Sequence, residues 1–504
     1  MVQLLELMAI GRPVPQHRAW PRAIVDVAAW NAAAVELADG AWTLVGLWAD
    51  VGAVHMALYE HTTGATGVAS LECTEGRFPS VGRLHPPAIR LERAVQDLFG
   101  LQADGLSDNR PWLDHGVWGT RHPMGSNTET LAIETDYAFL ACEGEGLHKV
   151  AVGPIHAGVI EPGHFRFTAN GETVVRLEER LGYVHKGIDR LMVGATLERG
   201  AMLAGRISGD STVAYAWAFA RAAEAALGVE VPARAMWLRV VMAELERLAN
   251  HLGDIGAVCN DAAFALIHAH TSVLRERVLR TSEACFDHRL IRDAIVPGGV
   301  AVDLDNADIA GLHDLIADLR VKLPGIVSLF DDTPSLKDRT VGTGRLAADL
   351  AAQFGAGGYV GRASGRDFDA RHDVPYAPYE ALTFEVPVVR SGDVNARVWI
   401  RLQEVDQSLA LVDQALAKLQ PGPFLVEVPP NGAPAEGVGM VEGFRGDVFA
   451  WLALDASGRI SRCHLRDPSW FQWPLLEAVI EGNIIADFPL CNKSFNCSYS
   501  GHDL

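Results

Sequence analysis

The longest run of helical pattern in the chain, residues 233–258, is the feature that most constrains its fold. Within it, Glu244, Arg247 and His251 stand at positions i, i+3 and i+7, so their side chains share one face of a helix. An alanine-rich and strongly helix-forming segment, VAYAWAFARAAEAAL, comes shortly before it. This part of the chain is therefore expected to be mainly helical.

The remaining pattern divides the chain into two unlike parts. Residues 1–120 mix short helical and strand segments and include an amphipathic helix, whereas residues 121–145 are polar and rich in turns, which is typical of a linker. From residue 146, alternation between Gly-rich turns predicts small strands before the helices begin. We predict an α+β fold, with a small N-terminal α/β module and a larger, mainly helical domain with small sheets over residues 146–504.

Several further elements are predicted from periodicity and turn signals. The predicted elements are the amphipathic helix at 88–99, helices over 272–291, 306–319 and 395–420, and a strand-rich end from residue 421.

Charge and composition exclude several classes of function. The net charge of −20 should repel phosphate backbones, so no nucleic-acid partner is expected. No signal peptide is predicted, and no window of about 18 residues is apolar enough to span a membrane. The seven cysteines include no C-x-x-C pair, which fits buried thiols in a reducing compartment.

Two short motifs have purely structural interpretations. TVGTGRLA contains G-x-G-x-x-A, but SLKDRT before it is not the apolar strand that a dinucleotide-binding loop requires. His268 and His270 form an H-x-H pair, but residues i and i+2 point apart on a helix. Neither motif is predicted to bind a nucleotide or a metal.

The segment GRISGDST, between two helical patterns, packs an arginine, an aspartate and several hydroxyls into one turn. Residues 210–212 are good N-cap residue types for the alanine-rich helix that follows. A cap does not account for Arg206 or for the two serines three residues apart, Ser208 and Ser211. The segment alone leaves a helix cap and a ligand site open.

Several segments together resemble the large subunit of membrane-bound group 4 [NiFe] hydrogenases, such as that of formate hydrogenlyase. They are also similar to the 49-kilodalton, quinone-site subunit of respiratory complex I. The segments are GPIHAGVIEPGHFRF, GYVHKGIDRL, GVEVPARAMWLRVVMAELERLANHL, TVGTGRL and GRASGRDFDARHDVPY. Upstream, RFPSVGRLHPPAIRLERAVQDLFGL resembles the 30-kilodalton subunit of complex I. The resemblance implies a domain like that smaller subunit over 1–120 and a hydrogenase-large-subunit-like domain over 146–504.

In the hydrogenases, four cysteines hold nickel and iron. The resemblance places the first pair on Ser208 and Ser211 and the second on Ser498 and Gly501. Nickel and low-spin iron need soft thiolate donors, whereas a serine hydroxyl is hard and glycine has no side chain. We expect the chain to bind no metal and to turn over no hydrogen. Its end at Leu504, without the tail that hydrogenases lose after nickel insertion, fits that expectation.

In complex I, the resemblance implies that the vacated cavity binds a quinone headgroup beside a histidine and a tyrosine. His156 matches the first histidine of the loop, whereas the tyrosine position falls on Gly209, and Tyr499 is a speculative substitute. The candidate residues of the vacated site and its cavity are His156, Arg206, Ser208, Asp210, Ser211, His251, Arg362, Asp369, Ser498, Tyr499, His502 and Asp503.

The resemblance also implies partners and a location. They are a small iron–sulfur subunit that carries the Fe–S cluster, antiporter-like membrane subunits, and a peripheral position on the cytoplasmic side of the membrane. The chain itself is expected to bind no cofactor beyond, in one interpretation, a quinone. Three hypotheses stay open: an NADH:quinone oxidoreductase-like subunit, a non-catalytic structural or coupling subunit, and, disfavoured by its spacing, a metal site rebuilt from Cys491, Cys497 and nearby histidines.

Overall fold

The computed structural model describes residues 3–126, 129–130, 137–429 and 432–504. Its helices are α1 (Leu4–Ile10), α2 (Val27–Ala38), α3 (Ile89–Phe99), α4 (Ile188–Met192), α5 (Leu197–Ala204), α6 (Thr212–Leu227), α7 (Ala233–Asp261), α8 (Ala265–Phe286), α9 (Asn306–Asp331), α10 (Pro334–Thr340), α11 (Ala348–Gln353), α12 (Gly358–Arg362), α13 (Ala370–Asp373), α14 (Val394–Lys418), α15 (Ser469–Ile480), α16 (Phe488–Phe495) and α17 (Tyr499–Asp503).

The strands of the same residues form several small sheets. They are β1 (Arg12–Pro13), β2 (His17–Arg18), β3 (Arg22–Ile24), β4 (Trp42–Asp50), β5 (Ala53–Glu60), β6 (Thr66–Glu72), β7 (Arg77–Pro79), β8 (Gln102–Asp104), β9 (Thr120–Arg121), β10 (Glu129–Thr130), β11 (Leu147–Val152), β12 (His164–Asn170), β13 (Thr173–Arg180), β14 (Ile295–Val296), β15 (Gly299–Val300), β16 (Ala435–Gly443), β17 (Gly446–Leu454) and β18 (Ile460–Arg466). The predicted α+β fold is confirmed.

The N-terminal module is built on a five-stranded sheet of order β1-β3-β6-β5-β4. Helices α1, α2 and α3 pack against its strands. Trp48 of β4 and Tyr59 of β5 belong instead to a second cluster that contains Phe449 and Trp451 of β17. Because neighbours cover both sides of the sheet, β4 and β5 are buried along almost their whole length.

The N-terminal module and the C-terminal sheet are joined by backbone pairing as well as by side chains. The C-terminal sheet has the order β18-β17-β16-β2, in which β2 pairs parallel to β16, with His17 opposite Glu436. Since β2 lies near the start of the chain and β16 near its end, the two parts share one sheet.

The helical part is organised around α7, which packs against α8 and α14 and also contacts α6 and α16. Helix α6 is buried on nearly every face and lies on β16 and β17. Its alanines explain this position, because small side chains let a helix approach a sheet closely. The predicted strands after residue 146 are the antiparallel sheet β11-β12-β13.

Three predicted boundaries are wrong. The helix predicted at 272–291 is α8, which begins and ends earlier, and the helix predicted at 306–319 is α9, which runs on to Asp331 through Pro324. A proline removes one backbone hydrogen bond, and the apolar face of α9 that continues past it holds the helix together. The strand-rich end stops at Arg466, because α15, α16 and α17 follow.

Candidate functional site

The turn between α5 and α6 meets the C-terminal segment of the chain. Ser208 precedes a short 3₁₀ turn over Gly209–Ser211, and Ser498 precedes α17 and caps it by accepting the Gly501 N–H at 2.9 Å. The Ser208 and Ser498 hydroxyl oxygens lie 3.1 Å apart although 290 residues separate them. Both side chains are buried. The fold therefore brings together the two segments that the resemblance pairs.

Asp210 collects the hydrogen bonds of this turn. Its Oδ1 accepts from the hydroxyl of Ser208 at 2.6 Å and from that of Ser211 at 3.3 Å. The guanidinium of Arg445 adds two bonds, at 2.9 Å to Oδ1 and 2.6 Å to Oδ2. Because the Ser208 hydrogen goes to Asp210, the Ser498 hydroxyl donates to Ser208, and all three hydroxyls are satisfied.

Arg445 stabilises the ionised form of the Asp210 carboxyl. Burial by itself raises the pKa of this carboxyl, but the paired guanidinium and the serine hydroxyls lower it from 3.8 to about 2. Arg445 is itself buried and also donates to the Ser211 hydroxyl at 3.1 Å and to the Asn496 carbonyl. The Arg445 guanidinium thus lies between the turn that contains Ser208 and the C-terminal segment.

The N-terminal end of α6 is not capped as the sequence suggested. Ser211, at the cap position, makes no side-chain hydrogen bond to the helix. The carboxylate of Glu246 on α7 accepts the N–H groups of Val213 at 2.7 Å and Ala214 at 3.1 Å instead. The prediction of a cap by residues 210–212 is wrong, because the Asp210 and Ser211 side chains bond to each other and to Arg445.

The Asp467 carboxylate lies directly against Gly501. A Cβ at this position would lie 2.4 Å from Oδ2 of Asp467. That oxygen accepts the Tyr215 hydroxyl at 2.7 Å, while Oδ1 accepts the N–H of Ser469 at 2.8 Å at the start of α15. The Asp467 side chain is therefore fixed, and position 501 has no room for a side chain.

These four positions do not fit a nickel–iron site. Three carry hydroxyl groups, the fourth carries no side chain, and a guanidinium lies against Ser211. Thiolates are the donors that such metals need, and a fixed cation disfavours a second cation beside it. Among residues 3–126, 137–429 and 432–504, no group of three or more His, Cys, Asp or Glu side chains is arranged to hold a metal ion.

Next to the serines, a histidine and a tyrosine pair across the edge of the C-terminal segment. Nε2 of His156, which is half-buried on the loop after β11, lies 3.1 Å from the Tyr499 hydroxyl. The tyrosine ring packs on Trp473, with ring centroids 4.8 Å apart, and against Gly163, where a Cβ would approach the ring to 2.5 Å. Burial raises the pKa of Tyr499 and lowers that of His156.

His502 and Asp503 are buried behind the site and hold the end of the chain in place. Trp112 donates its indole N–H to Nε2 of His502 at 3.2 Å, so the imidazole donates from Nδ1 to Asp503 at 2.8 Å. Asp503 also accepts the N–H groups of Gly182 at 2.9 Å and Val184 at 3.0 Å. Burial lowers the pKa of His502, which is consistent with a neutral ring. These contacts hold the C-terminal end of the chain against Trp112 and the segment after β13.

His251, Arg362 and Asp369 belong to a separate buried network of ionic groups. Arg362 binds Glu404 at 2.8 Å, Glu442 at 2.9 Å and Asp369 at 3.2 Å, and His251 bonds to Glu404 at 2.7 Å. The other members are Glu244, Arg247 and Arg371. Within this set, the carboxyl groups outnumber the guanidinium groups. Burial and the charge of Asp369 raise the pKa of Glu442 to about 7.

Arg206 lies outside both groups. It forms a two-bond ion pair with Asp293, at 2.5 and 2.7 Å, and about a third of its side chain is exposed. The arginine at the serine site is Arg445, which the sequence analysis missed.

The cysteines do not form a replacement metal site. Cys491 and Cys497 are buried, and burial raises the pKa of both thiols. Among the described residues, they do not belong to any group of three or more His, Cys, Asp or Glu side chains that could hold a metal ion. His268 and His270 are exposed on α8.

Comparison with known proteins identifies the relatives of the chain. The family described as the 49-kilodalton subunit of the respiratory-chain NADH dehydrogenase matches residues 262–437 and 425–503, and the 30-kilodalton subunit family matches residues 32–131. Formate hydrogenlyase subunit 5 of Escherichia coli is 31% identical over 86% of this chain and 78% of its own length. The chain belongs to the 49-kilodalton subunit family of the respiratory-chain NADH dehydrogenase.

Two further relatives are subunits of oxidoreductase or respiratory complexes. An NADH-quinone oxidoreductase subunit of Granulibacter bethesdensis is 31% identical over 68% of this chain and 92% of its own length. A solved structure of the membrane-bound sulfane sulfur reductase, an archaeal respiratory membrane complex, superposes with a TM-score of 0.68 at 26% identity over 71% of this chain and 99% of that one. The resemblance predicted from the motifs is confirmed.

One feature of the sequence could have identified Glu442 and Arg445, which are not among the candidate residues predicted from the sequence. Glu442, Arg445 and Asp447 interrupt the apolar run GMVEGFRGDVFAWLAL, where β16 turns into β17. Charged residues inside a buried strand pair must find partners, and Glu442 and Arg445 do so in the ionic network and at the serine site.

The helices of the described residues do not have the properties of a membrane-spanning helix. Over the described ranges 3–126, 137–429 and 432–504, none combines the length and the apolar character needed to cross a membrane.

Proposed function

We propose that the chain is the large subunit of a membrane-associated oxidoreductase complex related to complex I and the group 4 hydrogenases. In this proposal it delivers electrons from the Fe–S cluster of a small partner subunit to a quinone or a similar acceptor. The relatives support the type of complex, because they include a formate hydrogenlyase subunit and an NADH-quinone oxidoreductase subunit.

The observation that carries the quinone assignment is the pair formed by His156 and Tyr499. Their polar atoms lie 3.1 Å apart at the half-exposed end of the site. Imidazole and phenol groups can each donate a hydrogen bond to a carbonyl oxygen, and Phe165 and Trp473 supply an aromatic wall beside them. A planar ring with carbonyl oxygens is the acceptor that such a pair recognises. Tyr499 replaces the tyrosine that the resemblance places at position 209.

The same site argues against hydrogen turnover. The hydroxyls of Ser208, Ser211 and Ser498 are occupied by hydrogen bonds, and a fixed carboxylate blocks a side chain at Gly501. We propose that this chain has no nickel–iron site and holds no redox metal of its own. Its electrons must then come from a partner.

We further propose that the subunit lies peripherally on the cytoplasmic side of the membrane, against the small iron–sulfur subunit and above antiporter-like membrane subunits. The likeness to a subunit of a respiratory membrane complex supports this arrangement. Coupling of the electron transfer to ion movement belongs to the same proposal.

A second candidate function is that of a non-catalytic coupling subunit. The filled serine site favours it, because Arg445 occupies the space and the cavity bordering Gly209 and Asp210 measures only about 10 Å³, about the size of one water molecule. In this case the buried ionic network around Arg362 would hold the helices together, and no acceptor would bind.

Purification of the native complex from membranes tests both candidates. We expect an iron–sulfur subunit to copurify and a reduced donor to be oxidised in a quinone-dependent reaction. Tyr499→Phe should lower that rate about 10- to 100-fold, since it removes the phenolic proton while keeping the ring. Tyr183→Phe, a change at an exposed tyrosine, is the matched control.

The outcomes separate the two functions. Equal rates for Tyr499→Phe and Tyr183→Phe refute the quinone site at His156 and Tyr499. An assembled complex with an iron–sulfur partner but without quinone reduction supports the coupling subunit. A chain that purifies alone from its native membranes contradicts both.

A further inference from the structure

A wide cleft lies between the N-terminal module and the helical part of the chain. Its volume is about 670 Å³, which is in the range of small-molecule sites. One wall of this α2–α11 cleft is formed by residues 37–40 at the end of α2 and by His61 after β5. The other wall is formed by α11 and by the turn at residues 365–367. No residue of the serine site or of the His156 and Tyr499 pair lines it.

Packing contacts fix the two walls. Oγ1 of Thr43 on β4 lies 2.9 Å from Nε2 of His61, and a Cβ on Gly355 would lie 2.9 Å from the Thr43 methyl group. The N-terminal module therefore lies directly against the segment after α11. Gly365 adopts a positive φ of 91°, and a Cβ there would lie 3.9 Å from the side chain of Ala348. The turn at 365–367 thus packs beside the start of α11.

Arg366 lines the cleft and is only 9% exposed. Its Nη1 donates to the carbonyl of Ala356 at 3.0 Å, and its guanidinium lies over the ring of Phe368 at 4.4 Å. Among the described residues, Nε and Nη2 of Arg366 make no hydrogen bond, and the guanidinium makes no ion pair. Neither atom is sealed inside the protein, so both N–H groups are open to the cleft that Arg366 lines.

The acids that influence Arg366 most strongly through space are bonded elsewhere. They are Asp447, Glu442 and Asp373. Asp447 forms an ion pair with Arg466, and Glu442 pairs with Arg362 at 2.9 Å. The Asp373 carboxylate accepts the backbone N–H of Asp369 at 2.7 Å. One donor edge of the Arg366 guanidinium is therefore left for a group that the protein does not supply.

Three aspartates line the same cleft, which limits what that group can be. They are Asp39 at the end of α2, Asp349 in α11 and Asp367 beside the arginine. All three are exposed, and none forms an ion pair among the described residues. Their charges repel an anion that carries several negative charges, such as a phosphate, and attract a cation. The cleft thus combines a buried guanidinium with a negatively charged entrance.

We propose that the α2–α11 cleft binds a small molecule that carries a carboxylate at one end and a positively charged amine at the other. The carboxylate accepts the parallel N–H groups of Nε and Nη2 of Arg366, which is the two-bond geometry in which arginine binds carboxylates. The amine lies among the three aspartates. This site is separate from the proposed quinone site and does not depend on it.

Saturation-transfer NMR on the purified complex tests the ligand class with three probes of equal chain length: 4-aminobutyrate, butyrate and butylammonium. We expect 4-aminobutyrate to bind saturably. Butyrate should bind about 2- to 5-fold more weakly, because exposed ion pairs contribute little. Butylammonium should bind at least about 10-fold more weakly, because it leaves the buried guanidinium without an acceptor.

Substitutions locate the binding. Arg366→Gln should weaken the binding of 4-aminobutyrate about 10- to 100-fold, since it removes the charge-assisted hydrogen bonds to the carboxylate. Arg366→Lys should retain part of the affinity, because lysine keeps the charge but not the two-pronged geometry. Arg199→Gln, which removes an exposed arginine on α5, is the matched control and should change nothing.

Asp349→Asn tests the other end of the ligand at an exposed position that should not affect folding. It should bring the affinities for 4-aminobutyrate and butyrate closer together. No saturable binding of 4-aminobutyrate to the wild-type complex overturns the proposal, and so does equal binding by Arg366→Gln and Arg199→Gln. Butyrate binding as tightly as 4-aminobutyrate overturns the assignment of the amine. If Arg366→Gln does not assemble, the order of the three probes on the wild type and the effect of Asp349→Asn still decide.

Discussion

Replacement of Arg445 by glutamine should loosen the junction between the turn at Ser208 and the C-terminal segment. The guanidinium makes two bonds to Asp210 and lowers the pKa of that carboxyl from 3.8 to about 2. That drop corresponds to about 2.5 kcal/mol. Because about a third of the Asp210 side chain meets solvent, which screens the pair, we expect a coupling of about 1–2 kcal/mol.

The sign of the pH dependence follows from the direction of this pKa. The folded protein holds Asp210 ionised more strongly than the unfolded chain does, so the stabilisation is complete above about pH 4. It is lost as the pH falls from about 4 to about 2. In the wild type, the contribution of the ionised Asp210 to stability should therefore be constant from pH 5 upwards.

Hydrogen exchange of the amides at residues 205–215 in the purified complex measures this coupling. Arg445→Gln should speed their exchange about 5- to 30-fold at pH 7. In a double-mutant cycle, Asp210→Asn should add little to Arg445→Gln. Arg206→Gln is the matched control, because Arg206 and Asp293 also form a two-bond pair but on the surface. A coupling for Arg445 and Asp210 no larger than that for the surface pair would refute the reasoning.

Three further predictions follow from buried positions. Gly501→Cys should lower the melting temperature of the complex by several degrees, since its Cβ would lie 2.4 Å from the Asp467 side chain. Gly209→Cys is the control and should not lower it, because the nearest atom to a Cβ at that position is 3.9 Å away. Equal effects of the two substitutions would contradict the conclusion that position 501 is blocked. Glu404→Gln should lower the free energy of unfolding by about 3–5 kcal/mol in thermal or urea unfolding, because it leaves the buried Arg362 and His251 without their shared carboxylate. A decrease below about 1 kcal/mol would show that the ionic network rearranges to compensate. Burial lowers the pKa of His85 from 6.5 to about 4, so the folded state disfavours its protonation and loses about 3 kcal/mol of stability as the pH falls from 6.5 to 4. His85→Gln should make this pH dependence smaller, as measured by hydrogen exchange of the α3 amides. The same pH dependence below 6.5 in wild type and variant would contradict the prediction.

The sequence was most informative where local pattern and final structure agree. The helical periodicity over 233–258 predicted α7, and the alternation after residue 146 predicted the β11-β12-β13 sheet. These elements could be predicted because one face of each must be apolar in order to pack. The segment 469–503 was misread, because α15, α16 and α17 are short and are held by contacts with distant parts of the chain.

The residue types at the site were determined by the sequence alone. Serine at 208, 211 and 498 and glycine at 501 settle which donor atoms these positions offer, since the chemistry of a side chain does not depend on the fold. The match of several motifs in order also identified the family before any geometry was available.

Only the tertiary structure decided which groups surround those positions. Arg445 and not the neighbouring Arg206 pairs with Asp210, and Ser208 meets Ser498 across 290 residues. Arg90 of the N-terminal module likewise forms ion pairs with Glu179 and Glu477 of the larger domain. Such contacts join segments far apart in the chain, and they depend on how helices and sheets pack, which local periodicity does not encode.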